Sequence, residues 1–144
     1  MIPIVLDTNV LVGALLSKGG AARDVLRCCL SKHYEPLIGS ALFCEYEDVF
    51  ARDELWAKAL VTKQERHAVL DGFLSVCRWV EVFFSWRPNL PDEGDNHIME
   101  LAVAGNAVAI VTRNIRDITH GELRFPSVRV VTPKDCLEIF PCLP

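Results

Sequence analysis

The chain has no C-x-x-C pair, no Cys/His cluster at zinc-finger spacing, no internal repeat and no low-complexity segment. It also has no apolar run approaching the roughly 20 residues of a membrane-spanning helix. These absences argue against zinc modules, thioredoxin-like redox motifs, solenoids and integral membrane proteins. The six cysteines, Cys28, Cys29, Cys44, Cys77, Cys136 and Cys142, are scattered. The N-terminal stretch has no basic n-region, and Asp7 interrupts its apolar run, so it does not read as an export signal. The cysteines are therefore read as reduced thiols of a cytoplasmic protein. Charge is modest too. The net value of −4 predicts no diffuse attraction to nucleic acid or membrane, and leaves room for a local basic patch or for acids gathered around a metal ion. With 144 residues, 51% apolar and 24% charged, the composition is that of one globular domain spanning 1–144, large enough to need no staples.

What is present begins with MIPIVLDTNVLVGALLS. Ile2 to Leu6 is a continuous apolar, β-branched run, the pattern of a strand covered on both faces. It ends on an acid, Asp7, followed by Thr8 and Asn9. Further strands are predicted at Glu35–Ile38, Trp79–Phe84, Val108–Thr112 and Val128–Val131. Helices are predicted over Val10–Leu16, Ala21–Lys32, Ala41–Ala51 with Ser40 as N-cap, and from the capping box Thr62-Lys-Gln-Glu65 to about Cys77. Two more cover Asp95–Ala104 and Asp135–Ile139, the second opened by Thr132-Pro133. Alternating strands and helices argue for an α/β fold with a central parallel sheet between helix layers and a mainly helical middle at about 41–77. In such folds ligands sit beyond the carboxyl ends of the strands. Asp7 lies at one such end, and Thr112 to Asn114 lie just past another.

Three acids lean toward that edge. Asp7 either ends its strand in an Asx turn or serves a site. Glu45 flanks the apolar stripe Leu42, Tyr46, Val49 and Phe50, as a solvated border residue or as a ligand. Asp95 shares a helix face with Ile98 and Ala102, favoured by the helix dipole or aimed at the same site. If the three converge, like charges about 4 Å apart repel by roughly 4 kcal/mol per pair at an effective dielectric near 20. A shared proton or a divalent cation relieves that repulsion, and an all-oxygen set suits Mg²⁺ or Mn²⁺. His97 and His120 are read as exposed surface residues. Residues 113–134 hold Arg113, Arg116, Arg124, Arg129 and Lys134 against Asp117 and Glu122, either a solvated loop or a phosphate-steering surface. The aromatic stretch Trp79–Trp86 reads as sheet core or as a contact surface.

The run IVLDTNVLVGALL, the Glu45 helix, the stretch DNHIMELAVAGNAVAIVTRNIRDI and the ending VRVVTPKDCL together resemble the PIN-domain ribonucleases, and within them the toxin branch of bacterial toxin–antitoxin pairs. The resemblance spans residue 4 to about 137. It implies a Rossmann-like α/β/α sandwich and Mg²⁺- or Mn²⁺-dependent cleavage of single-stranded or loop RNA. It also implies a homodimer and a cognate antitoxin that blocks the acidic site. On this resemblance Asp7, Glu45 and Asp95 match the family's metal-binding acids, with Thr8, Asn9 and Thr112 as supporting hydrogen-bonding residues. Arg113 and Arg116 are the candidates for RNA contact. The fourth acidic position departs from the family. Where T-R-D or T-G-D is usual, this chain reads Thr112-Arg113-Asn114, with Asp117 three residues on. Asn114 or Asp117 completes the metal set, or the site runs on three acids. The alternative is a catalytically weak PIN-like module that binds RNA or protein without cutting. A phospho-aspartate enzyme is disfavoured, because Asn9 stands where D-x-D needs its second acid.

Overall fold

The computed structural model describes residues 1–17, 20–82, 93–115 and 127–142, with residues 93–96 described by their backbone alone. Five parallel strands run in the order β3-β2-β1-β4-β5. They are β1 (Ile2–Leu6), β2 (Tyr34–Ile38), β3 (Arg78–Trp79), β4 (Ala109–Val111) and β5 (Arg129–Val131). The helices are α1 (Thr8–Leu16), α2 (Ala21–Leu30), α3 (Ser40–Phe50), α4 (Asp53–Trp56), α5 (Lys63–Val76), α6 (Glu93–Ala104) and α7 (Pro133–Ile139). This is the α/β/α architecture that the alternating pattern predicts, with α3 to α5 forming the helical middle. Among the described residues no helix is long and apolar enough to cross a membrane.

The central strands are apolar because both their faces are covered. Ile4, Val5 and Leu6 of β1 are fully buried in succession, as are Ala109, Ile110 and Val111 of β4. A strand with one wet face would alternate instead. Helix α6 contacts β1, β2 and β4, while α7 contacts β4, β5 and α2. At the β3 edge the two strand residues are exposed and one carries charge. There Arg78 reaches Glu35 of β2 at 2.8 Å and the Gly105 carbonyl at 2.9 Å. A short, charged edge strand resists further pairing.

Local signals place the helices with small offsets. Thr62 accepts from the Glu65 amide, and Glu65 reaches back to Thr62, the reciprocal box read in the sequence. Thr132 caps α7 through the Asp135 amide, with Pro133 in the first turn. Gly39 and Asp7 stand at the N-caps of α3 and α1, so Ser40 and Thr8 are first-turn residues. Of the strand predicted over Trp79–Phe84, Trp79 lies in β3, Val80 to Val82 follow it, and the remainder falls outside the described residues.

One reading is corrected. Cys28 and Cys142 form a disulfide, with Cα atoms 6.0 Å apart, while Cys29, Cys44, Cys77 and Cys136 are thiols. The two partners are 114 residues apart, so spacing gave no hint of the pair. They meet because α7 packs on α2, and because the Tyr34 hydroxyl holds the Phe140 carbonyl at 2.6 Å, just before Cys142.

Candidate active site

Register decides which side chains meet. β1 pairs with β4 as Leu6 opposite Val111, and the Asp7 amide donates to the Val111 carbonyl at 2.9 Å. That fixes Asp7 and Thr112 side by side at the carboxyl ends of two central strands. The Thr112 hydroxyl, fully buried, donates to Asp7 Oδ2 at 2.7 Å. Asn9 Nδ2 donates to the same oxygen at 3.2 Å, and Asn9 Oδ1 accepts the Arg113 amide at 3.2 Å. The Asn114 amide donates back to Thr112 Oγ1 at 3.0 Å. The D-T-N and T-R-N segments therefore clasp each other across the sheet.

Glu45 arrives from α3. The adjacent Tyr46 is fully buried, and its hydroxyl donates to the Leu6 carbonyl, pinning α3 to the end of β1. That anchor turns Glu45 toward the start of α1. Its Oε1 accepts from the Thr8 hydroxyl, and its Oε2 lies 2.8 Å from His97 Nε2. The surface reading of His97 is thus corrected: its side chain is only 13% exposed, and it joins α6 to α3. The signal was available. Residue 97 lies four before Leu101, which is buried, so the two share a helix face.

Asp7, Thr8, Asn9, Gly13, Glu45, Arg113 and Asn114 all line one open cavity of about 460 Å³. Burial pushes the Asp7 carboxyl above its ordinary value. The Thr112 hydrogen bond pulls it down, and the Glu45 charge pushes it up again. Glu45 is held below its ordinary value, chiefly by the His97 hydrogen bond, against partial burial. Arg113 is exposed at the rim, and its guanidinium rests against α1. A Cβ at Gly13 would stand 2.6 Å from Nη1, so any side chain there would displace the guanidinium.

The other expected site residues are less fully drawn. Asp95 lies in the first turn of α6, two residues before His97, and its side chain is outside the described residues. Arg116 and Asp117 lie wholly outside them, as do His120 and Arg124. Among the described residues no three His, Cys, Asp or Glu side chains converge as a metal cage. The donor set still suits a hard divalent ion. Two carboxylates face one cavity, and the more buried of them carries a charge that its surroundings disfavour.

A family model described as PIN domain matches residues 3–116. The chain belongs to the PIN-domain family. Members of this family are in general nucleases. Among solved structures, the chain resembles the crystal structure of VapBC2 from Rickettsia felis bound to a DNA fragment from its promoter. The match has a TM-score of 0.60 and 18% sequence identity, and covers 90% of this chain and 97% of that one. At that identity it is a likeness of fold. No curated protein matches by sequence.

Proposed function

We propose that this PIN-domain protein is a Mg²⁺- or Mn²⁺-dependent endoribonuclease that cuts single-stranded or loop RNA in the cytoplasm, as the toxin of a type II toxin–antitoxin pair. The observation that carries the reading is the meeting of the Asp7 and Glu45 carboxylates at one cavity beyond the end of β1, in a chain of nuclease family. The fold likeness to VapBC2 supports an antitoxin partner, and a homodimer belongs to the same reading.

In this reading Asp7, Glu45 and Asp95 hold the metal, with Asn114 or Asp117 beside them. A bound divalent ion would lower the pKa of an attacking water and neutralise charge on the phosphoryl and leaving oxygens. The protein's own groups prepare that step. Thr112 and Asn9 fix Asp7 Oδ2, so one carboxylate orientation is set before substrate arrives. Thr8 and His97 hold the two oxygens of Glu45 in the same way. Arg113 and Arg116 take the phosphate backbone. Attack by a ribose 2′-hydroxyl needs an acid–base pair facing the phosphate. Among the described residues no histidine or lysine lines the cavity. Hydrolysis by water, leaving 5′-phosphate and 3′-hydroxyl ends, is the reaction this lining suits.

The test is incubation of the purified protein with a structured RNA pool, with and without Mn²⁺, followed by sequencing of the 5′ ends. New 5′-phosphate ends should appear only with the ion. Asp7→Asn should lower the rate by roughly a hundredfold or more, the scale of removing one electrostatic stabiliser, with circular dichroism unchanged. Cleavage by Asp7→Asn at the wild-type rate would overturn the assignment. Absent Mn²⁺ binding by calorimetry, with RNA binding retained, would favour the inert binding module that Asn114 suggests.

A further inference from the structure

Two cavities meet along α1. The first is the acidic one above. The second, about 260 Å³, lies between the start of α2 at Gly20 and Ala21 and the start of α7 at Pro133 and Lys134. They share three residues, Gly13, Ser17 and Arg113. Their charges differ in kind. Among the described residues, the first adds two carboxylates to Arg113, and the second adds one cation, Lys134, and no acid. Arg113 stands on the wall between them, laid against the bare backbone of Gly13.

We propose that the second cavity is a phosphate subsite for the same RNA strand, with Lys134 as its anchor and Arg113 shared between subsites. This rests on the ribonuclease reading. A strand that offers one phosphate to the acidic cavity carries a neighbouring phosphate of the same sign. Asp7 and Glu45 repel that neighbour unless a cationic surface takes it up. The second cavity supplies such a surface on the far side of the residues the two share, Gly13, Ser17 and Arg113. Its recognition is electrostatic and blind to the base, because Lys134 presents a point charge without the planar fork that reads base edges. The net charge of −4 makes this local surface necessary, since the whole molecule does not attract a polyanion.

The experiment is anisotropy of a fluorescein-labelled oligouridine against the full-length protein, titrated over a range of KCl with Ca²⁺ in place of a catalytic ion. Lys134→Gln should weaken binding and lower the slope of log K against log salt by about 0.7, one phosphate contact on a single strand. Lys134→Arg should restore both. Lys58→Gln, at an exposed lysine that lines neither cavity, should leave the slope unchanged. Equal slopes for Lys134→Gln and wild type would overturn the subsite and leave the nuclease reading standing. A wild-type protein that neither binds nor cuts RNA would overturn the nuclease reading itself, and the subsite with it.

Discussion

At the scale of single residues, the site stores an unfavourable charge. The Asp7 carboxyl titrates above its unfolded value because burial and Glu45 oppose ionisation. Over the window between the two values, the folded chain keeps a proton that the unfolded chain has lost. Stability therefore falls as pH rises through that window and stays lower above it. Asp7→Asn should raise the melting temperature at neutral pH, with the gain shrinking below about pH 4, the ordinary Asp value. Mn²⁺ should raise the melting temperature of the wild type and not of this variant. Glu45 has the opposite sign, and its contribution is lost as pH falls. His97 acts through Glu45, so His97→Ala should weaken Mn²⁺ binding by about 10- to 100-fold in calorimetry, the usual cost of losing an outer-shell partner. His97→Gln, which keeps a donor, should recover part of it. Unchanged Mn²⁺ affinity in His97→Ala would remove His97 from the positioning role. Asp7 and Glu45 were legible as acids beside apolar runs. The Glu45 contact with His97 was not, because it joins residues 52 apart and depends on how α6 lies against α3.

At the scale of elements, period and capping carried most of the information. β1 and β4 read as buried strands because three consecutive side chains in each are fully covered. α5 and α7 read from their caps because those hydrogen bonds are local. β3 was overlong in the sequence reading: its apolar run continues past Trp79, while the pairing with β2 ends at Ile38 opposite Trp79. Helix α1 holds a residue that propensity alone disfavours. Gly13 sits mid-helix, where glycine costs about 0.5–1 kcal/mol relative to alanine. The reason is the Arg113 guanidinium lying over it. Gly13→Ala would meet only the far end of a flexible side chain, so the helix should tolerate it. The melting temperature should hold or rise while affinity for single-stranded RNA falls, because Arg113 is displaced. A variant that keeps wild-type RNA affinity would deny Gly13 that purpose.

At the scale of the whole molecule, two distant stretches of chain, α2 and the segment after the last helix, are tied across the fold. The Cys28–Cys142 bond closes a loop of more than a hundred residues, and the chain-entropy account gives such a link roughly 5 kcal/mol, the upper end of what disulfides contribute. Reductant should lower the wild-type melting temperature and leave Cys28→Ser unmoved; equal responses would show the link to be energetically idle. The bond was invisible in the sequence because nothing local marks it, whereas the parallel sheet follows from the strand–helix alternation. The parallel order also governs timing. Asp7 is made 105 residues before the threonine that orients it. A chain still being translated and lacking β4 has its first acid but neither Thr112 nor Arg113. An unfinished copy on the ribosome therefore holds the D-T-N half of the clasp without the T-R-N half that orients it.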